Sequence, residues 1–467
     1  MAFIGIDIGT TSICCVVFDT QSLAVLHSRS LANDACIGQP FAHEKAHMQD
    51  AERLLDLVIQ LLDGAFVAGD IQGIGIASQM HGILYVDSAG EALTPLFTWL
   101  DRRTESLFEG QGLSYLRYMH EHITGSPTVA AGYGLATHFF LQQNKQLPTA
   151  TGAVKLCSIG DFVAMRLVGR SQPVAEPTLC HSLGLFDVSG KVFCPTALRA
   201  LGIDPEFLPE LSPSDTVLGE YRSVPVAIAI GDNQAAFCGS VRDPENMALL
   251  TLGTSGQVSC YSRSGDGGPN IEVRPYLDGA YLFVGASLCG GKSYQILAEF
   301  FQAVGAWLFP TPGGGQVSRD SIYERMNAVD ISRLADMPSL QPFFAGSRQS
   351  PQAGGVLSNI SERNLRPEHL FAGFVFGVVE ELYGLFAGFP AKARPPLLAA
   401  CGNFIARCPH AEKAIRQVFK RPLYLLRHPE PTALGAALHV AALCGAEQWE
   451  GVRGAEAGAH WYREALD

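Results

Sequence analysis

The sequence predicts an α/β protein of two similar domains facing each other across a cleft. Three observations carry that expectation. One phrase occurs twice, as Ile6-Asp7-Ile8-Gly9-Thr10-Thr11-Ser12 at the start and as Leu250-Thr251-Leu252-Gly253-Thr254-Ser255-Gly256 in mid-chain, which reads as a duplicated unit. At 467 residues the chain exceeds what one ordinary core holds. Its composition, 47% hydrophobic and 17% charged, is that of a well-packed globular protein rather than a disordered or fibrous one.

The elements follow in order. Apolar runs at 3–8, 13–19 and 24–31 are separated by turn residues and predict a three-stranded meander. From Asp50 to Val67, Leu54, Leu55, Leu57, Val58, Leu61 and Leu62 line one face of a helix. Further strands are expected at 71–77 and 83–86. Residues 102–210 read as more helical and irregular, with helices at 135–144 and 161–168. The pattern then restarts: a buried strand over 224–230 ends at Gly231-Asp232, and 247–252 with 258–261 forms the second hairpin. Strands near 271–286, 396–400 and 422–426 alternate with helices near 291–306, 367–388, 409–419 and 433–443. The charged, Pro-containing turn 241–246 is the expected boundary, dividing residues 1–241 from 242–467.

The formal net charge of −12 argues against nucleic acid as a partner, because phosphate backbones call for Lys/Arg surfaces. It does not argue against a nucleotide, which a glycine loop binds through backbone dipoles. The start of the chain has no basic region before its apolar run, and Asp7 interrupts that run, so a cytoplasmic protein without a signal peptide is expected. Phe371 to Phe389 is apolar enough to raise the question of a membrane. Glu380 and Glu381 at its centre favour a buried helix and no membrane partner. Twelve cysteines without Cys-x-x-Cys spacing predict free thiols, not a zinc site or a disulfide scaffold.

Chemistry is expected at six places. In the repeated loops, Gly9, Thr10, Thr11, Gly253, Thr254 and Ser255 offer backbone N–H groups and hydroxyls to phosphate. Asp7, replaced by Thr251 in the second copy, is a candidate Mg²⁺ ligand beside those phosphates. Asp232 reads either as a helix cap or as a general base accepting a hydroxyl proton. Gln79, Met80 and His81 follow a strand, and an amide with an imidazole suits the dense hydroxyls of a sugar. Trp99 offers a face to C–H groups, Asp101 a carboxylate to hydroxyls, and Tyr133 and Thr137 flank a glycine-loosened bend. Gly402 and Asn403 end an apolar strand where a flat base could approach the backbone. Glu430 to Ala437 reads as small-residue helix packing, with a possible hinge role.

Taken together and in this order, Ile6–Ser12, Gln79–Gly82, Trp99–Arg103, Gly231–Ala235, Gly253–Gly256 and Leu434–Ala437 resemble the FGGY carbohydrate kinases over essentially the whole chain. The resemblance implies two actin-like, ribonuclease-H-like domains with ATP and sugar between them, and Mg²⁺ near Asp7. It implies Asp232 as catalytic base and Met80 and His81 as sugar contacts. It also implies Asp7, Gly9, Thr10 and Thr11 as the first phosphate motif, Gly253 and Thr254 as the second, and Gly402 in the adenosine motif. Ala399-Ala400-Cys401-Gly402 departs from the consecutive glycines usual in that last motif. Within the family, Gln79–Gly82, Gly132–Thr137, Gly231–Ala235 and Ser287–Gly291 look like a ketose kinase. Sedoheptulose is the first expected substrate and xylulose the second, phosphorylated at the terminal primary hydroxyl by a monomer or homodimer. An actin-like ATPase or chaperone, and a sugar-sensing pseudokinase, are the readings from other classes.

Overall fold

The computed structural model describes residues 1–38, 44–125, 128–268, 271–309, 318–347, 350, 352–445 and 462–464. Two seven-stranded sheets form its frame. In the first, Ala2–Ile8 lies at the centre, with Ser12–Asp19 and then Ala24–Ala32 added antiparallel on one side. On the other side Ile71–Ser78 and then Val224–Ala227 run parallel, and Val217–Tyr221 closes the edge antiparallel. The second sheet repeats this plan. Met247–Leu252 is central, Gly256–Ser262 and Tyr281–Ser287 are antiparallel on one side, and Leu397–Cys401 and Leu423–Leu426 are parallel on the other. The antiparallel strand Tyr462–Glu464 takes the same far edge. The duplicated phrase is therefore a duplicated sheet, and registers align the copies. Asp7 lies opposite Cys14 and Ala77, where Thr251 lies opposite Gln257 and Cys401.

Ala2–Ile8 is apolar at nearly every position because both faces are covered. Ile4, Ile6 and Ile8 join one core with Leu54, Val58, Leu61 and Leu62 of the helix Ala51–Ala65. That helix starts where Asp50 accepts from the backbone N–H groups of Glu52 and Arg53. Phe3 points to the other core, as does Cys14, while its neighbour Cys15 faces the first.

The second core belongs to both halves of the chain. The helices Asp232–Ser240 and Pro431–Leu443 pack on each other between the two sheets. Contact is backbone to backbone. A Cβ on Gly5 or Gly75 would overlap the carbonyl oxygen of Ala433 or Ala436, and one on Gly435 or Gly239 would overlap that of Ala235 or Pro431. The small residues 431–437 thus let a C-terminal helix lie flat against the N-terminal sheet.

One expectation changes, and the buried-helix reading of 371–389 holds. The strand read over 224–230 is two pieces, Val224–Ala227 and Ile230–Gly231, both on Ile71–Ser78. The Ile228 N–H leaves that ladder for the carbonyl of Thr216. The apolar run 371–389 is the helix Pro367–Gly388, long and apolar enough to cross a bilayer. It buries Phe371, Phe374, Val375, Val378 and Leu382 in the core of the second sheet, and Glu381 accepts a hydrogen bond from Ser287 Oγ at 2.7 Å.

Candidate active site

Both repeated loops sit at the same end of their sheets, and each is propped differently. In the first, Gly9 N–H closes the turn on Ser12 O at 3.0 Å. Thr10 Oγ1 donates to Gln79 Oε1 (3.0 Å) and accepts from Trp99 Nε1 (2.8 Å). Gln79 Nε2 donates to Gln49 Oε1 (2.8 Å), and Gln49 Nε2 returns to Thr10 O (2.9 Å). Gln79 is 4% exposed and both ends of its amide are used. Gln79 thus braces the first loop, and the Thr10 hydroxyl is engaged by two side chains from outside it. Thr11 stays exposed.

The second loop rests on the start of the helix Gly291–Leu308. Gly291 N–H donates to Gly253 O (2.8 Å) and Lys292 N–H to Thr254 O (3.0 Å). A Cβ on Gly290 would crowd the Ser255 backbone, so the Gly290-Gly291 pair is what lets the helix approach. Thr254 and Ser255 are exposed, and a Cβ on Gly253 would meet nothing within 4 Å. Neither Gly9 nor Gly253 has a positive φ. Their small size leaves room and is not a demand of backbone conformation. Gly402 is the opposite case, with φ +113° and a Cβ position overlapping Leu252 O. It ends Leu397–Cys401 directly beside the second loop, and the exposed Asn403 begins the next helix.

Asp232 is the first residue of the helix Asp232–Ser240. Gly231 holds the cap position, and no side chain caps this helix. The helix-cap reading therefore falls, and the carboxylate is left for other work. Asn233 Nδ2 donates to Asp232 Oδ1 (3.1 Å), and Gln257 Nε2, from the second sheet, donates to Asn233 Oδ1 (3.1 Å). A side chain of one domain thus orients the carboxylate of the other. Burial raises the Asp232 pKa, while Asn233 and the charge of Arg274 oppose that rise. Asp7 is held well above the usual carboxylate range, first by burial and then by the charges of Asp232 and Glu430. Asp7 Oδ1 is buried without a hydrogen-bond partner.

An orphaned acidic oxygen with two further carboxylates in electrostatic reach fits a hard divalent cation such as Mg²⁺. Among the described residues no three His, Cys, Asp or Glu side chains could hold a metal on their own. Such a cation would take its other ligands from phosphate and water. Gln257, which reaches Asp232 through Asn233, has no local signal in the sequence.

On the sugar side, His81 has φ +75°, a left-handed value uncommon for a non-glycine residue. Ser182 fixes it. The His81 N–H donates to Ser182 Oγ (3.0 Å), its Nδ1 bonds Ser182 O (2.8 Å), and its ring stacks on Tyr133 at 4.3 Å between centroids. A carbonyl partner makes Nδ1 the protonated nitrogen and Nε2 the acceptor of the neutral ring. Gly132, with φ +81°, packs on the backbone of Trp99, so the Tyr133 bend and the Trp99 segment meet. Trp99 is 40% exposed.

Three other expected sugar contacts are buried. Asp101 is 1% exposed, its two oxygens held by Arg103 Nε (2.9 Å) and Nη2 (2.8 Å), and it also accepts from the His47 N–H. It is a structural ion pair. Thr137 lies inside the helix Gly134–Gln143 at 2% exposure. Met80 is core, its sulfur beneath Gly231.

Two matching hairpins at the same ends of duplicated sheets, with an uncapped carboxylate on a helix between them, give the frame of the two-domain actin-like, ribonuclease-H-like fold. Residues 2–243 match the N-terminal domain of the FGGY family of carbohydrate kinases, and the chain belongs to that family. It is 26% identical over 423 residues to human sedoheptulokinase, covering 82% of this chain and 85% of that one. It is 24% identical over 324 residues to xylulose kinase of Staphylococcus xylosus, covering 64% of each. The crystal structure of xylulose kinase from Rhodospirillum rubrum superposes with a TM-score of 0.79 at 18% identity, over 97% of this chain and 93% of that one. The protein is an ATP-dependent carbohydrate kinase.

Proposed function

We propose that this kinase transfers the terminal phosphoryl group of ATP to the terminal primary hydroxyl of a ketose, with sedoheptulose, giving the 7-phosphate, as the preferred acceptor. The observation that carries the reading is Asp232, a carboxylate that caps nothing and is aimed by a residue of the opposite domain. Its raised pKa keeps it basic enough to accept a hydroxyl proton as the oxygen attacks phosphorus. The loop N–H groups at 10–11 and 254–255 receive the phosphates, since those of Gly9 and Gly253 close their own turns, and Gly402 and Asn403 flank the purine. Asp7 would hold a Mg²⁺ ion, which would supply neutralising charge to the phosphoryl oxygens. His81, Tyr133 and Trp99 form the wall that holds the sugar. Residues 1–241 and 242–467 are the two domains. Closure about 241–246 would exclude water and limit ATP hydrolysis.

The similarity to sedoheptulokinase supports the seven-carbon acceptor. Xylulose is the second reading, favoured by the likeness to xylulose kinases. ADP release measured against ketoses, aldoses and polyols tests both. Sedoheptulose is expected to give the highest kcat/KM, and an aldose or polyol ranking first would refute the ketose assignment.

A further inference from the structure

The helix Pro177–Leu183 is seven residues long and carries none of the groups assigned to substrate. Its two ends nevertheless hold both sides of the acceptor site. At its start, Thr178 Oγ1 accepts from the Gly231 N–H at 2.8 Å. Gly231 is the cap residue directly before Asp232, so this bond sets the backbone from which the carboxylate projects. Near its end, Ser182 Oγ accepts from the His81 N–H (3.0 Å), and Ser182 O bonds His81 Nδ1 (2.8 Å). His81 has φ +75°, a value that persists only where the surroundings enforce it.

One carboxylate orders both arms. Glu176, at the cap position of the short helix, accepts through Oε1 from the N–H groups of Thr178 (2.8 Å) and Leu179 (3.1 Å) and from the Thr178 hydroxyl. A hydroxyl has one proton to donate and two lone pairs to accept with. Thr178 spends its proton on Glu176, which turns a lone pair to the Gly231 N–H. Ser182 spends its proton on Leu179 O (2.7 Å), which turns a lone pair to the His81 N–H. Glu176, Thr178 and Ser182 are all buried, so these bonds are not exchanged for bonds to water.

We propose that Thr178 is a positioning residue for the catalytic base, and that the helix Pro177–Leu183 is a strut fixing Asp232 and His81 relative to each other. This rests on the reading of Asp232 as the base and of His81 as a sugar contact. Buried as they are, Thr178 and Ser182 act through the residue that each one holds. Attack on phosphorus tolerates little displacement of the group that aligns the hydroxyl, so a shift of Asp232 lowers the rate although every reacting group is still present.

The test compares wild type with Thr178→Val, Thr178→Ser, Ser182→Ala and Asp232→Asn, using the best acceptor found in the panel. Thr178→Val keeps the shape and removes the hydroxyl. It should lower kcat at least about tenfold, with the KM values for sugar and ATP within about twofold of wild type. Thr178→Ser keeps the hydroxyl and should recover most of that rate. Ser182→Ala should instead raise the sugar KM at least about threefold, because it releases the His81 backbone, and should leave the ATP KM unchanged. Added to Asp232→Asn, Thr178→Val should cost less than about twofold more, since a residue that acts through the base has little effect once the base is gone. A kcat within about twofold of wild type in folded Thr178→Val overturns the proposal. So does a Thr178→Ser variant as slow as Thr178→Val, or a full further loss in the double variant, either of which would leave Thr178 a general structural role. An unchanged sugar KM in Ser182→Ala overturns the strut. If Thr178→Val does not fold, Thr178→Ala and Thr178→Ser decide by the same readings. Near-wild-type turnover in Asp232→Asn would refute the base itself, a result separate from any given by the Thr178 single variants.

Discussion

Replacing Asp232 with asparagine separates the charge of this side chain from its shape. The variant keeps the volume and an oxygen to accept from Asn233, and it disturbs no cap, since Gly231 holds that position. What it loses is the base. Removal of a general base costs about 10²–10⁴ in rate, roughly 3–5 kcal/mol of barrier. Stability should hardly move, because two small effects oppose each other. A negative charge at a helix N-terminus is worth about 0.3–1 kcal/mol, and its loss destabilises. Relief of the repulsion between Asp232 and Asp7 stabilises, at about 1.4 kcal/mol per pKa unit recovered by Asp7. Initial rates of ADP release, thermal melts and calorimetric titration with a non-hydrolysable ATP analogue measure the three quantities. The expected result is turnover at or below about one hundredth of wild type, with the melting temperature and nucleotide affinity retained. Near-wild-type turnover would refute the base assignment. A rate loss matched by loss of folding would refute the claim that this carboxylate does no structural work.

Further consequences can be checked together. Gly253→Val should fold normally, since a Cβ there meets nothing within 4 Å, yet should weaken ATP binding without altering sugar preference. Gly9→Val should also perturb its hairpin, where the Cβ would lie 2.7 Å from Ser12 O, and circular dichroism with nucleotide titration separates the two cases. Gln79→Leu removes the acceptor of the Thr10 hydroxyl and the donor to Gln49 Oε1, at about 1–3 kcal/mol. It should raise the KM for ATP more than that for sugar, whereas a direct sugar contact would give the reverse. Burial holds Asp161 and Glu176 at about 7, above their unfolded values. Their stabilising contribution is full below about pH 4 and is lost as pH rises through about 7. Asp161→Asn should therefore flatten the decline in unfolding free energy across that window, as read by urea titration.

The frame was legible because it is written in local pattern. Two-faced burial makes Ala2–Ile8 and Met247–Leu252 continuous apolar runs, and a glycine with hydroxyls follows each. The partners were not legible, because they come from far along the chain. Gln79 is engaged by Gln49 and Thr10, 30 and 69 residues away, so its polarity read as availability. Asp101 read as a ligand for the same reason, although Arg103, two residues on, neutralises it in the interior. Gln257 reaches Asn233, and through it Asp232, only by the packing of one half on the other, which no single segment records. The break at 228–229 depends on one hydrogen bond to Thr216 and leaves no trace in hydropathy.

The central claim, that the site takes a seven-carbon ketose at its terminal hydroxyl, is tested most directly by competition. Equal concentrations of sedoheptulose and xylulose are supplied with limiting ATP and excess Mg²⁺, and phosphorus NMR reads the product ratio, which is the ratio of kcat/KM values. A hydroxyl partner lost from a polar site costs about 1–3 kcal/mol, so sedoheptulose 7-phosphate should exceed xylulose 5-phosphate by at least about tenfold. Equal amounts, or an excess of xylulose 5-phosphate, would contradict it.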